Sequence, residues 1–194
     1  MGVMSEFTAW DEPSEADELF PEGDVRGLQV LSAALLAGAV IFGLVVVGMH
    51  LGGVFPAPAG GPGAAERSLI WLLSLVHAGV FVLSWIVSSV LPTVMLHGVL
   101  RQAPSSPEAG VRRLIGSLRG AHMVRCAFRE GPALFGLVIC LVASIHGVLA
   151  ELPRYWLNAA SAVVFVLWGL AAFPTRDRLI GRLLGVLVSA VAKA

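Results

Sequence analysis

His122–Phe173 reads HMVRCAFREGPALFGLVICLVASIHGVLAELPRYWLNAASAVVFVLWGLAAF. It holds two apolar runs, His122–Leu149 and Tyr155–Phe173, parted only by Ala150–Arg154. Crossing about 30 Å of hydrocarbon takes roughly 20 helical residues, so each run spans a bilayer and the short connection forces an antiparallel hairpin. Working back along the chain, Gly27–Val54 and Ser68–Leu100 are two further runs of this kind. Phe55–Arg67 (FPAPAGGPGAAER) joins them, and its Pro and Gly content predicts an irregular surface loop. The expected fold is all-α: a four-helix transmembrane bundle with spans at about 27–54, 68–100, 122–149 and 155–173.

Composition agrees. Hydrophobic residues make up 57% of the 194 and charged residues 13%, with mean hydropathy +0.84. An ordinary soluble domain has roughly 45–50% and 25%, and cannot hide this much apolar surface. Net charge is zero, but eight of the thirteen acids (Glu6, Asp11, Glu12, Glu15, Asp17, Glu18, Glu22 and Asp24) precede the first span. Residues 1–25 therefore form an acidic arm expected to be disordered and cytoplasmic. An acidic start is the wrong chemistry for a cleavable signal peptide, and Glu6 stands where myristoylation needs Ser or Thr. Cys126 and Cys140 fall on one helix about 21 Å apart, too far to pair, and read as small buried hydrophobes.

Lys and Arg set the expected orientation, because basic residues flanking spans stay on the cytoplasmic side. Of thirteen, only Arg67 and Arg154 lie on one side; the other eleven share the side of both termini and the central loop. In that loop Ser106 suits an N-cap and Pro107 the first helical position. Val111, Leu114, Ile115, Leu118 and Val124 then interleave with Arg112, Arg113, Arg119 and Arg125, an amphipathic pattern suited to an anionic leaflet. After Pro174-Thr175-Arg176, residues 176–194 form a second amphipathic cytoplasmic segment.

Two segments echo each other at a spacing of 93 residues: Ala37–Val45 (AGAVIFGLV) and Glu130–Val138 (EGPALFGLV). A weaker echo links Val80–Leu83 and Pro92-Thr93 with Val164–Leu167 and Pro174-Thr175. A duplication would make the bundle two tandem antiparallel hairpins in the same orientation; chance similarity between apolar helices is the other explanation.

Arg129–Val138 (REGPALFGLV, with its EGPALF core), together with Pro174-Thr175-Arg176 after the fourth span and Leu36-Ala37-Gly38 and Phe42 in the first, resembles a group of bacterial four-helix membrane proteins without assigned activity. That likeness implies a bacterial inner membrane and no chemistry. The Glu130 segment also resembles, more distantly, the carboxylate helix of ATP synthase rotor-ring subunit c, where the carboxylate binds a proton or sodium ion at mid-membrane. This chain departs from that family: Arg129 flanks Glu130, the carboxylate falls near the edge of the span, and Ala37 stands at the echo position. The resemblance implies ancestry rather than ion translocation.

Glu130, with Arg125 and Arg129, is still the first candidate site, for an ion or a proton, since an ionisable residue in a span is costly. Gly131-Pro132 beside it removes a backbone hydrogen bond and predicts a kink. The opposing reading is an ion pair with an arginine at the membrane edge. Histidines are the second candidates. His77 with His146, or His97 with His122, would serve as facing haem ligands in a bundle, and interfacial histidines are the alternative. Trp71 and Trp156 fit an aromatic belt, whereas Trp85 and Trp168 lie deeper and predict helix packing. No phosphate loop, zinc cluster or nucleophile elbow is present.

The leading expectation is a non-enzymatic scaffold, assembly or accessory component needing no cofactor. Its partners would be the lipid bilayer and either a second copy or another membrane protein, not nucleic acid. The alternatives are proton- or cation-coupled transport through Glu130, and a bis-histidine haem b electron carrier.

Overall fold

A computed structural model of the protein describes residues 22–55, 60–100 and 107–191. Most of the acidic arm, the cap at Ser106 and Lys193 lie outside them. The described residues contain no strand. In order they form α1 (Glu22–Leu51), α2 (Ala64–Leu100), α3 (Pro107–Ile145), α4 (Val148–Glu151), a 3₁₀ segment (Pro153–Ala159) running into α5 (Ala160–Ala171), and α6 (Arg176–Val191). Four stretches among them are long and apolar enough to cross a membrane: Glu22–Leu51, Ala64–Val99, Arg112–Ile145 and Pro153–Ala171. The fold is thus an all-α four-helix bundle, as the apolar runs predicted.

Several boundaries differ from expectation: α1 starts at Glu22, within the stretch expected to be a disordered arm, and α2 at Ala64, within the stretch expected to be an irregular loop. The third span and the amphipathic stretch before it form one helix that continues through Pro132. That helix stops at Ile145 rather than Leu149, because Gly147 adopts φ 71°, a left-handed conformation that costs glycine little, and its N–H turns back to the Ser144 carbonyl at 3.0 Å. The Pro153 ring then fits the first turn of the 3₁₀ segment, which needs no N–H there.

The chain divides into two compact units, Met1–Ser32, Ser89–Arg125 and Phe173–Ala194 forming one, Ala33–Ser88 and Cys126–Ala172 the other. In the first unit, Val25 and Leu28 of α1, Leu114, Ile115 and Leu118 of α3, and Leu179 of α6 make a buried core. The apolar face of the amphipathic stretch is therefore turned into protein, not laid on a leaflet. Polar ties reinforce the core: Gln29 Nε2 donates to the Pro174 carbonyl at 3.1 Å, and Asp24 pairs with Arg119 at 2.9 Å. The ion pair is well exposed and adds at most about 1 kcal/mol. Burial of the apolar face holds α6 in place.

In the second unit Val46 of α1, Ile70 of α2, and Ile139, Cys140 and Ala143 of α3 pack with Val148, Leu149 and Tyr155. Phe42 and Phe135, the matching phenylalanines of the sequence echo, both lie against this core. Cys126 and Cys140 are free and buried, as the spacing indicated. At one end His50 bonds Ser144 at 3.1 Å and meets Trp156 edge-on, while Arg67 pairs with Glu151 at 2.8 Å. α3 contributes to both cores and is the most enclosed of the four spans. The outward side chains of α1 and α2, Ile41, Leu44 and Leu83 among them, are exposed and apolar, as a lipid-facing surface requires.

Leu179, 2% exposed, is the residue through which α6 enters its core. Leu179→Ala should cost about 2–5 kcal/mol there. In mild detergent, trypsin should then cut at Arg178 and Arg182 markedly faster; an unchanged digestion pattern would remove α6 from the core.

Candidate functional site: the buried polar seam of the second unit

Hydrocarbon offers no hydrogen-bond partner, so a polar side chain inside a span must find one in the protein. On α2, His77, Phe81, Trp85 and Ser88 are spaced by four, four and three residues and so share one face. His77 and Ser88 are buried there. Opposite them lie Arg129, Pro132, Phe135 and Gly136 of α3, then Asn158 of the 3₁₀ segment and Ser161 and Trp168 of α5.

His77 is the centre of the seam. Its Nδ1 lies 3.1 Å from Asn158 Oδ1, and its Nε2 lies 3.1 Å from both the Pro132 carbonyl and Ser161 Oγ. The Asn158 amide is fixed in turn: Nδ2 donates to Ser74 Oγ at 3.0 Å and to the Tyr155 carbonyl at 2.9 Å. Ser74 passes its own hydrogen to the Ile70 carbonyl at 2.8 Å. Ser161 Oγ lies 2.9 Å from the Asn158 carbonyl and 3.2 Å from that of Pro132. Three spans are thereby joined at one imidazole, each interhelical bond being worth about 0.6–1.7 kcal/mol in a membrane protein.

Only a glycine permits this approach. A Cβ on Gly136 would fall onto the Asn158 carbonyl oxygen, 2.7 Å from Ser161 Oγ and 2.9 Å from His77 Nε2. The backbone carbonyl cannot swing aside as a flexible side chain would.

Arg129 forms the second node. Its guanidinium sits between two indoles, 3.9 Å from the Trp85 ring centroid and 4.0 Å from that of Trp168, and Nε donates to Ser88 Oγ at 3.0 Å. Aromatic faces carry negative potential, so a cation flanked on both sides is stabilised by the rings themselves. Ring contacts link the nodes: Phe135 lies edge-on to His77 at 5.8 Å, Phe81 is 6.5 Å from His77, and Trp85 is 5.9 Å from Phe81. Phe165 stacks on Trp168 beyond the clamp.

The sequence candidates fare unequally. Arg129 is committed to tryptophans rather than to Glu130, since successive helical residues point about 100° apart. Glu130 is half-buried, and no hydrogen bond or ion pair reaches it among the described residues. Arg125 belongs to the first unit, where it and Arg182 act electrostatically on His122. His122 bonds Ser32 at 2.9 Å, and His97 bonds the Thr93 carbonyl of its own helix at 2.8 Å. Neither proposed haem pair, His77 with His146 or His97 with His122, is in ring contact among the described residues. An iron would also need a nitrogen lone pair on His77, where both nitrogens already face protein groups. No cluster of three metal-ligating side chains occurs among the described residues.

Asn158, Ser161, Ser74 and Ser88 were not singled out by sequence, whereas Gly131 and Gly136 carry the small-residue spacing that permits close helix approach. Asn158-Ala-Ala-Ser161 does carry a signal, two polar residues one helical turn apart in an otherwise apolar run. Compared with known protein families, curated proteins and solved structures, the chain finds no match in any of the three.

Gly136→Ala should lower the melting temperature of the detergent-solubilised protein, at a cost of about 1–3 kcal/mol from overpacking. Gly38→Ala, in open space, should leave it unchanged. Arg129→Lys keeps the charge but loses the planar stacking and the Nε bond to Ser88, and should destabilise by about 2 kcal/mol in the same measurement. Wild-type melting in that variant would mean the tryptophans do not hold the cation.

Proposed function

We propose that the chain is a non-enzymatic multi-pass protein of a bacterial inner membrane, acting as a scaffold, assembly or accessory component, with both termini cytoplasmic. The observation that carries this reading is the use to which the span's polar side chains are put. His77, Asn158, Ser161 and Arg129 all bind one helix to another. The orientation rests on the eleven-to-two distribution of Lys and Arg.

Ser161, His77 and Asn158 have the order of a nucleophile, a base and an orienting amide, at 3.1 Å and 3.1 Å. Acyl transfer would also need donors aimed at a developing oxyanion. Ser161 instead faces the carbonyls of Asn158 and Pro132, which are acceptors and would repel that charge. The arrangement favours cohesion over hydrolysis.

One observation favours a second reading, ion-coupled transport: the half-buried Glu130 carboxylate, which no described residue binds. The scaffold reading expects Glu130→Gln liposomes to show the same proton flux as wild type. Loss of a wild-type flux in that variant would replace scaffold with transport. For orientation, a membrane-impermeant thiol reagent applied to intact cells should label Ala57→Cys and spare Gln102→Cys, with the native cysteines replaced by Ala. The opposite pattern would invert the topology.

A further inference from the structure

We propose that the first unit holds the phosphate group of one anionic phospholipid between Arg125 of α3 and Arg182 of α6, where His122 is tied to Ser32. The argument starts from how the unit's core ends. Leu28 of α1, Leu118 of α3 and Leu179 of α6 meet in that core. One turn further along each helix the side chains turn polar: Ser32 follows Leu28 by four residues, His122 follows Leu118 by four, and Arg182 follows Leu179 by three. Ser32 and His122 close on each other at 2.9 Å, and both are buried.

Two guanidiniums approach this buried ring. Arg182 and Arg125, the latter one turn beyond His122 on α3, are the charges that act on it. Both side chains are half-buried, and an arginine does not shed its charge. Two permanent cations brought together in a partly dry place repel each other, and an anion between them turns that repulsion into attraction. The carboxylate that α1 brings to this face of α3, Asp24, is taken by Arg119 at 2.9 Å, six residues before Arg125. Among the described residues no acceptor meets Arg125 Nε, which is enclosed by protein. A donor enclosed in this way is costly, and the planar fork it belongs to matches the oxygens of a phosphate.

Two features favour a lipid phosphate over a dissolved one. Ser32 and His122 stand near the starts of the apolar runs Gly27–Val54 and His122–Leu149, which is head-group depth. Basic pockets between helices at that depth hold anionic head groups. Val30 of α1 and Met123 of α3, close to Ser32 and His122 in the chain, are apolar and exposed, and so offer acyl chains a surface where a free ion would find nothing. The bond between His122 and Ser32 fixes α3 against α1, and the core contact of Leu179 fixes α6, so the two guanidiniums are held in place before the lipid arrives.

The test is native mass spectrometry of the full chain, extracted in mild detergent from vesicles made of equal parts phosphatidylglycerol and phosphatidylcholine. The expected spectrum shows one phosphatidylglycerol retained per chain, in clear excess over phosphatidylcholine. Arg125→Gln should lower the retained fraction by about tenfold, the worth of one hydrogen bond to a charged group. Arg182→Gln should act in the same direction, and it carries the test should Arg125→Gln not fold. Arg112→Gln removes an exposed charge from the same basic stretch and should leave retention unchanged, as should an excess of inorganic phosphate in the buffer. Equal retention of the two lipids, or of neither, would overturn the proposal. So would an equal loss in Arg112→Gln, which would mean a diffuse surface charge, or displacement by inorganic phosphate, which would make the site one for the free ion.

Discussion

Asn158 is the residue on which the second unit turns. Within hydrocarbon an amide with an unsatisfied hydrogen is costly, and Asn158 has two donors and an oxygen to satisfy. It does so by reaching Ser74 and His77 on α2 while capping its own turn at Tyr155. That requirement places the start of the fourth span against α2 and, through Gly136, hard against α3. Apolar packing between these helices gives cohesion but little register, since lipid tails are as apolar as the side chains they would replace. The hydrogen bonds supply the register.

Arg129 and Glu130 show how differently a membrane span treats two neighbouring ionisable residues. The guanidinium is planar and weakly hydrated, so indole faces can replace its water. A carboxylate has no such option, because the same aromatic faces would repel it. One residue is therefore absorbed into the packing of α2, α3 and α5, while the other remains half-buried with no described partner. Sequence adjacency suggested a pair; helical geometry and the chemistry of the two groups separate them.

The architecture was legible in the sequence because spans are set by length and hydropathy, both of which are local. The helical state of the chain from Pro107 onward followed from equally local rules, and the free state of Cys126 and Cys140 from their spacing. The seam was less legible. His77 was visible as a candidate, but its partners lie 55, 81 and 84 positions away, and nothing local announces that an asparagine and a serine one turn apart will meet a histidine. Trp85 and Trp168 were read as packing residues, yet the cation between them had been assigned to the membrane edge. The amphipathic face of Leu114, Ile115 and Leu118 has the same pattern whether it covers lipid or protein. The packing of Val25 and Leu28 from α1 and of Leu179 from α6 decides between them.

That packing fixes an order of events in biogenesis. The core of the first unit joins Val25 and Leu28 to Leu114, Ile115 and Leu118, and then to Leu179. The chain is made from the N-terminus, so Val25 waits through the insertion of every span before Leu179 emerges from the ribosome. Until then the apolar face of α3 has only Val25 and Leu28 of this core to cover it. α6 is thus the piece that closes this core, and a chain without the Leu179 side chain leaves it open to quality-control proteases.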